Sequence, residues 1–197
     1  MFIEPNFGRV KRTGWIEVIC GCMFSGKTEE LIRRLNRSII AGQKVEIFKP
    51  TIDKRYHDED VVSHNSTAIR STPVDFASDI ILMAGNCDVV GVDEAQFFDD
   101  EIVNVCNTLA NAGKRVIVAG LDMDFEGKPF GPMPDLLAVA EFVTKVHAIC
   151  ATTGELASYS FRLADETGKV LLGQKQEYEA RSRASFFEGM KSKKDQK

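Results

Sequence analysis

The sequence predicts an α/β fold, a parallel sheet with helices on both faces, and two observations carry that prediction. Apolar runs suited to buried strands alternate with helical patterns from residue 15 to residue 149, the order that builds a parallel sheet. Between the first strand and the first helix sits Gly21-Cys22-Met23-Phe24-Ser25-Gly26-Lys27-Thr28, a complete G-x-x-x-x-G-K-[ST]. Such a loop cradles phosphate with its backbone N–H groups, helped by the helix N-terminus that follows. Together they predict the RecA-like architecture of phosphate-loop NTPases, with ligands at the C-terminal edge of the strands.

Residues 1–14 read as a loose leader. Trp15–Cys20 is the first strand. Glu29–Ala41 follows as a helix with Leu31, Ile32, Leu35, Ile39 and Ile40 at helical spacing and Gly42 as its stop. Lys44–Lys49 is a second strand, ended by Pro50. The polar stretch from Thr51 to Thr72 has no pattern, and its candidates for chemistry are Asp53, Arg55 and His64. Pro73–Ala84 is predicted as a helix opened by proline. Val89–Val92 is a buried strand that runs into Asp93-Glu94. Asp99–Ala112 forms a helix with Ile102, Val103, Cys106, Leu109 and Ala110 on its stripe, and Arg115–Leu121 forms another strand. A loop with Phe125 and Phe130 among glycines and prolines precedes a short helix, Pro134–Ala140, and a strand, Phe142–Ile149.

After Cys150 the character changes to short β-like runs, Ala157–Leu163 and Lys169–Leu172, joined by polar turns. The expected organisation is a leader (1–14), a nucleotide-binding domain (15–149), a small β subdomain (150–188) and a disordered charged tail (189–197).

Composition narrows the class. The 197 residues are 44% hydrophobic and 27% charged with net charge −4, ordinary for a globular chain and no case for a nucleic-acid or membrane partner. No stretch is apolar enough to span a bilayer, and the N-terminus lacks a signal core, so a cytoplasmic protein is expected. Five scattered cysteines, Cys20, Cys22, Cys87, Cys106 and Cys150, form no disulfide framework. Cys22, inside the phosphate loop, is expected to be exposed and oxidisable.

The loop and the strand-end pair define the chemistry. Lys27 suits the β- and γ-phosphates, while the Thr28 hydroxyl and Asp93 suit Mg²⁺. Glu94 then either orients an organic hydroxyl in a closed pocket or orients water, as in a motor-type ATPase. A nucleotide-binding module without turnover is a third reading. Phe97, Phe125 and Phe130 favour a closed pocket, since aromatic rings at a site rim can grip a flat ring and exclude water.

The motifs GCMFSGKTEEL, FKPTIDKRY, VVSHN, DEAQFF, GLDMDFEGKPFG and the late Gly173…Tyr178-Glu-Ala-Arg occur in that order, and with them the chain resembles the type II thymidine kinases from about Gly14 to Phe187. The resemblance implies transfer of the ATP γ-phosphate to the 5′-hydroxyl of thymidine, with Glu94 as base. It implies ATP binding by Gly21 to Thr28, Asp93 and Gln96, and Mg²⁺ at Thr28 and Asp93. It places Met23, Phe97, Leu121, Phe125 and Phe130 in the nucleoside pocket. Ser160, Lys169, Val170, Leu171, Leu172, Gly173 and Tyr178 match a late loop, the lasso, that closes over thymine. Asp53 and Arg55 match residues on the phosphate side, and the family forms homotetramers.

One feature departs from the family. Its members hold structural zinc between two Cys pairs at the lasso base, whereas here the pairs read Cys150-Ala-Thr-Thr153 and Ser182-Arg-Ala-Ser185. One thiol of four is too few for a structural zinc, and His147 in the preceding strand does not make up the number. No zinc is expected, and Phe161, Phe186 and Phe187 are candidates to hold the lasso base by packing.

Overall fold

A computed structural model describes residues 13–51, 60–62, 68–163 and 177–195. The expectations placed on Asp53, Arg55, His64 and Lys169, Val170, Leu171, Leu172 and Gly173 lie outside the described residues.

In chain order the elements are β1 (Trp15–Cys20), α1 (Lys27–Ile40), β2 (Val45–Pro50), β3 (Asp60–Val62), β4 (Ala68–Arg70), β5 (Thr72–Val74), α2 (Ala77–Met83) and β6 (Val89–Val92). There follow α3 (Glu101–Asn111), β7 (Arg115–Gly120), α4 (Met133–Val139), β8 (Phe142–Lys145), β9 (Ala148–Ile149), β10 (Leu156–Ala157), β11 (Tyr159–Arg162), β12 (Tyr178–Arg181) and α5 (Arg183–Asp195). Six strands form one sheet in the order β5-β2-β6-β7-β1-β8. Every pairing in it is parallel. This is the predicted α/β phosphate-loop fold.

Strand alternation sorts the core into two layers. Ile16, Val18, Val90, Val92, Val116 and Val118 face α2, α3 and α4, meeting Ile80, Ile102, Val105, Leu109, Met133 and Leu136. Ile19, Ile47, Val89, Ile117 and Ala119 face α1 through Leu31, Ile32 and Leu35. On that second face β1 also carries Glu17, fully buried, which accepts hydrogen bonds from Arg34 Nη1 (2.8 Å), Arg115 Nε (2.6 Å) and Trp15 Nε1 (2.7 Å). The charges therefore meet partners rather than lying bare in the core.

Three expectations need correction. Pro73 opens no helix: it lies in β5, paired with Lys49 of β2 at the sheet edge, where a residue without an N–H is tolerated, and α2 starts only at Ala77. The strand predicted over 142–149 is two strands. β8 stays in the main sheet through Lys145, opposite Cys20, and β9 turns away to pair antiparallel with β10. Residues 189–195, expected as a disordered tail, continue α5. Met190 packs on the Tyr159, Phe161 and Phe186 cluster, and Lys193 Nζ donates to the carbonyls of Arg162 (2.8 Å) and Leu163 (3.2 Å).

Candidate active site

The phosphate loop leaves β1 at Gly21 (φ 150°), where a Cβ would lie 2.2 Å from the Val146 carbonyl oxygen. Only glycine fits there, because β8 runs alongside. Ser25 Oγ and Lys27 Nζ both donate to the Cys22 carbonyl, at 2.7 and 2.9 Å, folding the loop back on itself. Phe24 stands exposed at the tip with φ 64°, and Gly26 leads into α1.

Cys22 contradicts the expectation of an exposed thiol. It is 1% exposed, and its Sγ donates to the Ala157 carbonyl at 3.3 Å. Burial pushes this thiol up, away from the reactive thiolate. Next to it, Met23 N–H donates to Ser160 Oγ at 3.0 Å. The loop is thus fastened to β10 and β11, from the far end of the chain.

At the end of β6, Thr28 Oγ1 donates to Asp93 Oδ2 at 3.4 Å, and Asp93 Oδ1 accepts from Glu94 N–H at 3.0 Å. Hydroxyl and carboxylate are close enough to share one small cation, and both are hard oxygen donors of the kind Mg²⁺ takes. Glu94 has φ 51° and ψ 41°, the left-handed region, which costs a non-glycine residue about 1–2 kcal/mol. Its carboxylate accepts from Gln96 Nε2 at 2.5 Å.

Of the aromatic candidates, Phe97 and Phe130 meet edge to face at 5.6 Å between centroids. Phe125 instead lies under the Arg162 guanidinium, 3.6 Å from its ring centroid. Arg162, missed from sequence, is 5% exposed and donates through Nε (3.1 Å) and Nη2 (2.8 Å) to the Tyr178 hydroxyl. It therefore ties the loop of Phe125 to β11 and β12. Alternation along β11 places it on the same face as Ser160, and that is the signal that could have found it. Asp122 and Lys145 were also missed. They form an ion pair at 2.6 Å, from the loop after β7 to the end of β8.

Of the four positions matching the family's metal site, Cys150 and Ser185 both meet the hydroxyl of Thr152, which lies between them. Thr152 Oγ1 and Ser185 Oγ are 2.6 Å apart, and Cys150 Sγ lies 3.3 Å from Thr152 Oγ1. Burial pushes the Cys150 thiol up, but hydrogen bonds from Thr152, Thr153 and the Ser182 backbone outweigh it and bring it down to about 5. Ser182 Oγ is buried with no hydrogen-bond partner among the described residues. His147 Nδ1 faces Ser158 Oγ at 3.1 Å. One thiol among neutral hydroxyls does not fit zinc. At the same corner Tyr159 stacks on Phe186 (4.6 Å), with Phe161 and Phe187 edge-on to Phe186.

A sequence model of the family described as thymidine kinase matches residues 14–186. A thymidine kinase of Rhodothermus sp. (strain ITI 518) is 63% identical over 173 residues, 88% of this chain and 81% of that one. Another, from Bacteroides thetaiotaomicron, is 58% identical over 187 residues, 95% of this chain and 94% of that one. Among solved structures, a DNA replication initiation factor aligns at 16% identity with a TM-score of 0.42, covering 68% of this chain and 40% of that one. Domain III of the Thermotoga maritima replication initiation protein DnaA gives 0.41 at 16% identity, over 66% of this chain and 54% of that one. The chain spans about half the length of those two structures, or less. With identities near 60% along almost its whole length, this chain belongs to the thymidine kinase family.

Proposed function

We propose that the protein transfers the γ-phosphate of ATP to the 5′-hydroxyl of thymidine. Family membership supports the reaction, and the observation that carries the mechanism is Glu94 held beside the Thr28–Asp93 pair at the mouth of the phosphate loop. The loop from Gly21 to Thr28 takes the phosphates. Lys27 exchanges the Cys22 carbonyl for phosphate oxygens and offsets charge on the group in flight. Thr28 and Asp93 hold Mg²⁺, which when bound neutralises phosphate charge. The 5′-oxygen bonds to the γ-phosphorus as the bond to the β,γ-bridging oxygen breaks, ADP leaves, and Glu94 takes the hydroxyl proton late in the transfer.

Met23, Phe97, Leu121, Phe125 and Phe130 line the nucleoside side, and Ser160 and Tyr178 anchor the cover over it. In this reading residues 15–149 bind nucleotide and 150–188 close over the nucleoside. The assembly is a homotetramer in the cytoplasm without structural zinc. Among the described residues no helix is long and apolar enough to cross a membrane.

The test is ADP release in the presence of ATP and Mg²⁺, with and without thymidine. Release that depends on thymidine, with thymidine monophosphate as product, is expected. Equal release without nucleoside means water is the acceptor, and no release under either condition ends the kinase reading.

A further inference from the structure

We propose that Gln96 is a positioning residue, a buried clamp that fixes the Glu94 carboxylate and couples it to the nucleoside side of the site. The proposal rests on the kinase reading above. Gln96 is 3% exposed, in a short 3-10 turn directly after Glu94. Its carboxamide has two ends, and both have partners. Oε1 accepts from Leu121 N–H at 2.9 Å, while Nε2 donates to Glu94 Oε2 at 2.5 Å. The orientation of the amide is forced, since a backbone N–H can only donate and so requires the oxygen end. The NH₂ is left facing a carboxylate, a charge-assisted contact.

The surroundings are shaped to Gln96. A Cβ on Gly120 would come within 2.9 Å of Gln96 Oε1, and one on Gly131 within 2.4 Å of the Gln96 carbonyl oxygen. Two chain segments thus close on this residue at distances only glycine allows. Its 3% exposure leaves almost no surface for a nucleotide, so the side chain acts on Glu94 rather than on ATP.

A glutamate in the left-handed region starts its side chain from an uncommon backbone direction. The Gln96 amide is one of the contacts that hold its carboxylate in place. Leu121, at the other end of the clamp, begins the loop that carries Phe125 and Phe130, and Phe130 N–H returns to the Asp122 carbonyl at 3.2 Å. One amide therefore joins the base to the wall of the nucleoside pocket, so a shift of that wall moves the carboxylate.

The experiment compares wild type, Gln96→Met and Gln96→Glu by kcat, KM for ATP and KM for thymidine. Gln96→Met keeps the volume and removes both hydrogen bonds. We expect kcat to fall on the order of a hundredfold, the scale of misplacing a reacting group by 1 Å, with KM for ATP within about threefold. Gln96→Glu keeps an acceptor for Leu121 N–H but sets a second carboxylate where the donor to Glu94 stood, and kcat falls likewise.

Wild-type kcat in both variants overturns the clamp while leaving the kinase reading intact. So does a selective rise in KM for ATP with kcat retained, which makes Gln96 a nucleotide ligand. If thermal melting shows that Gln96→Met does not fold, Gln96→Glu decides by the same criteria. A wild-type enzyme without thymidine-dependent turnover sinks the kinase reading itself, and the clamp with it.

Discussion

Replacing Glu17 by Gln tests whether the ion network beneath α1 is a structural keystone. Glu17 has no exposed surface and serves two buried guanidiniums, Arg34 at 0% and Arg115 at 4% exposure. Gln is the same size, yet it removes the negative charge and turns an NH₂ toward groups that can only donate. Arg34 keeps Glu30 Oε1 (2.8 Å) and Thr144 Oγ1 (2.9 Å), whereas Arg115 keeps Ser38 Oγ (3.1 Å), a neutral partner, among its hydrogen bonds. Breaking a buried pair from one side costs about 3–5 kcal/mol. For a chain of this size that lowers Tm by roughly 6–20 °C. The assay is thermal unfolding followed by circular dichroism, with kcat measured well below the transition. Arg115 sits opposite Val89 at the start of β6, whereas Glu94 follows the other end of that strand, so kcat at low temperature stays within about twofold of wild type. A Tm within 2 °C of wild type would refute the reasoning, as would a large loss of kcat in a fully folded variant.

Further outcomes follow from the same contacts. Glu94→Gln lowers kcat by at least about a hundredfold while ATP binding by calorimetry stays within about threefold; near-normal kcat removes Glu94 from the role of base. Hydrogen bonds from Arg33, with Arg34 adding to them against burial, hold Glu30 down at about 2. Its folded-state value lies below the unfolded one, so its contribution is present above pH ~4.5 and is lost as pH falls toward 2. Accordingly, the difference in urea midpoint between wild type and Glu30→Gln shrinks to nothing over that window; it is modest throughout, because Glu30 is partly in water. Elemental analysis of purified protein should find no stoichiometric zinc, and chelators should leave Tm unchanged. Thr152→Val removes the hydroxyl between Cys150 and Ser185 and leaves Ser185 Oγ short of that partner, so Tm should fall by several degrees, for about 1–2 kcal/mol. No change in Tm would mean that the aromatic cluster alone holds this corner.

The sheet is legible in the sequence because its central strands are buried on both faces and mostly apolar. Val89–Val92 and Arg115–Gly120 are buried at every position, so no competing pattern obscures them. Local motifs are legible for the same reason: loop, Lys27, Thr28, Asp93 and Glu94 carry their geometry within a few residues. Pro73 misleads because proline at a helix start and proline on an edge strand look alike until the pairing with β2 is known. The break at Val146 is hidden because Ala148 and Ile149 continue the alternation of Phe142–Lys145 while changing partner. The contacts that complete the site span long separations. Gln96 meets Leu121 across 25 residues and Met23 meets Ser160 across 137, and no periodicity encodes either.

The fastening of the phosphate loop to β10 and β11 bears on when the protein becomes competent. A growing chain that has emerged only as far as Lys145 already contains every residue of the loop and all six strands of the main sheet. It does not yet contain Ala157, which receives the Cys22 thiol, or Ser160, which receives the Met23 amide. Those two anchors come off the ribosome more than a hundred residues after the segment they brace. Tight capture of a triphosphate is therefore a late event in biogenesis, arriving with the final quarter of the polypeptide.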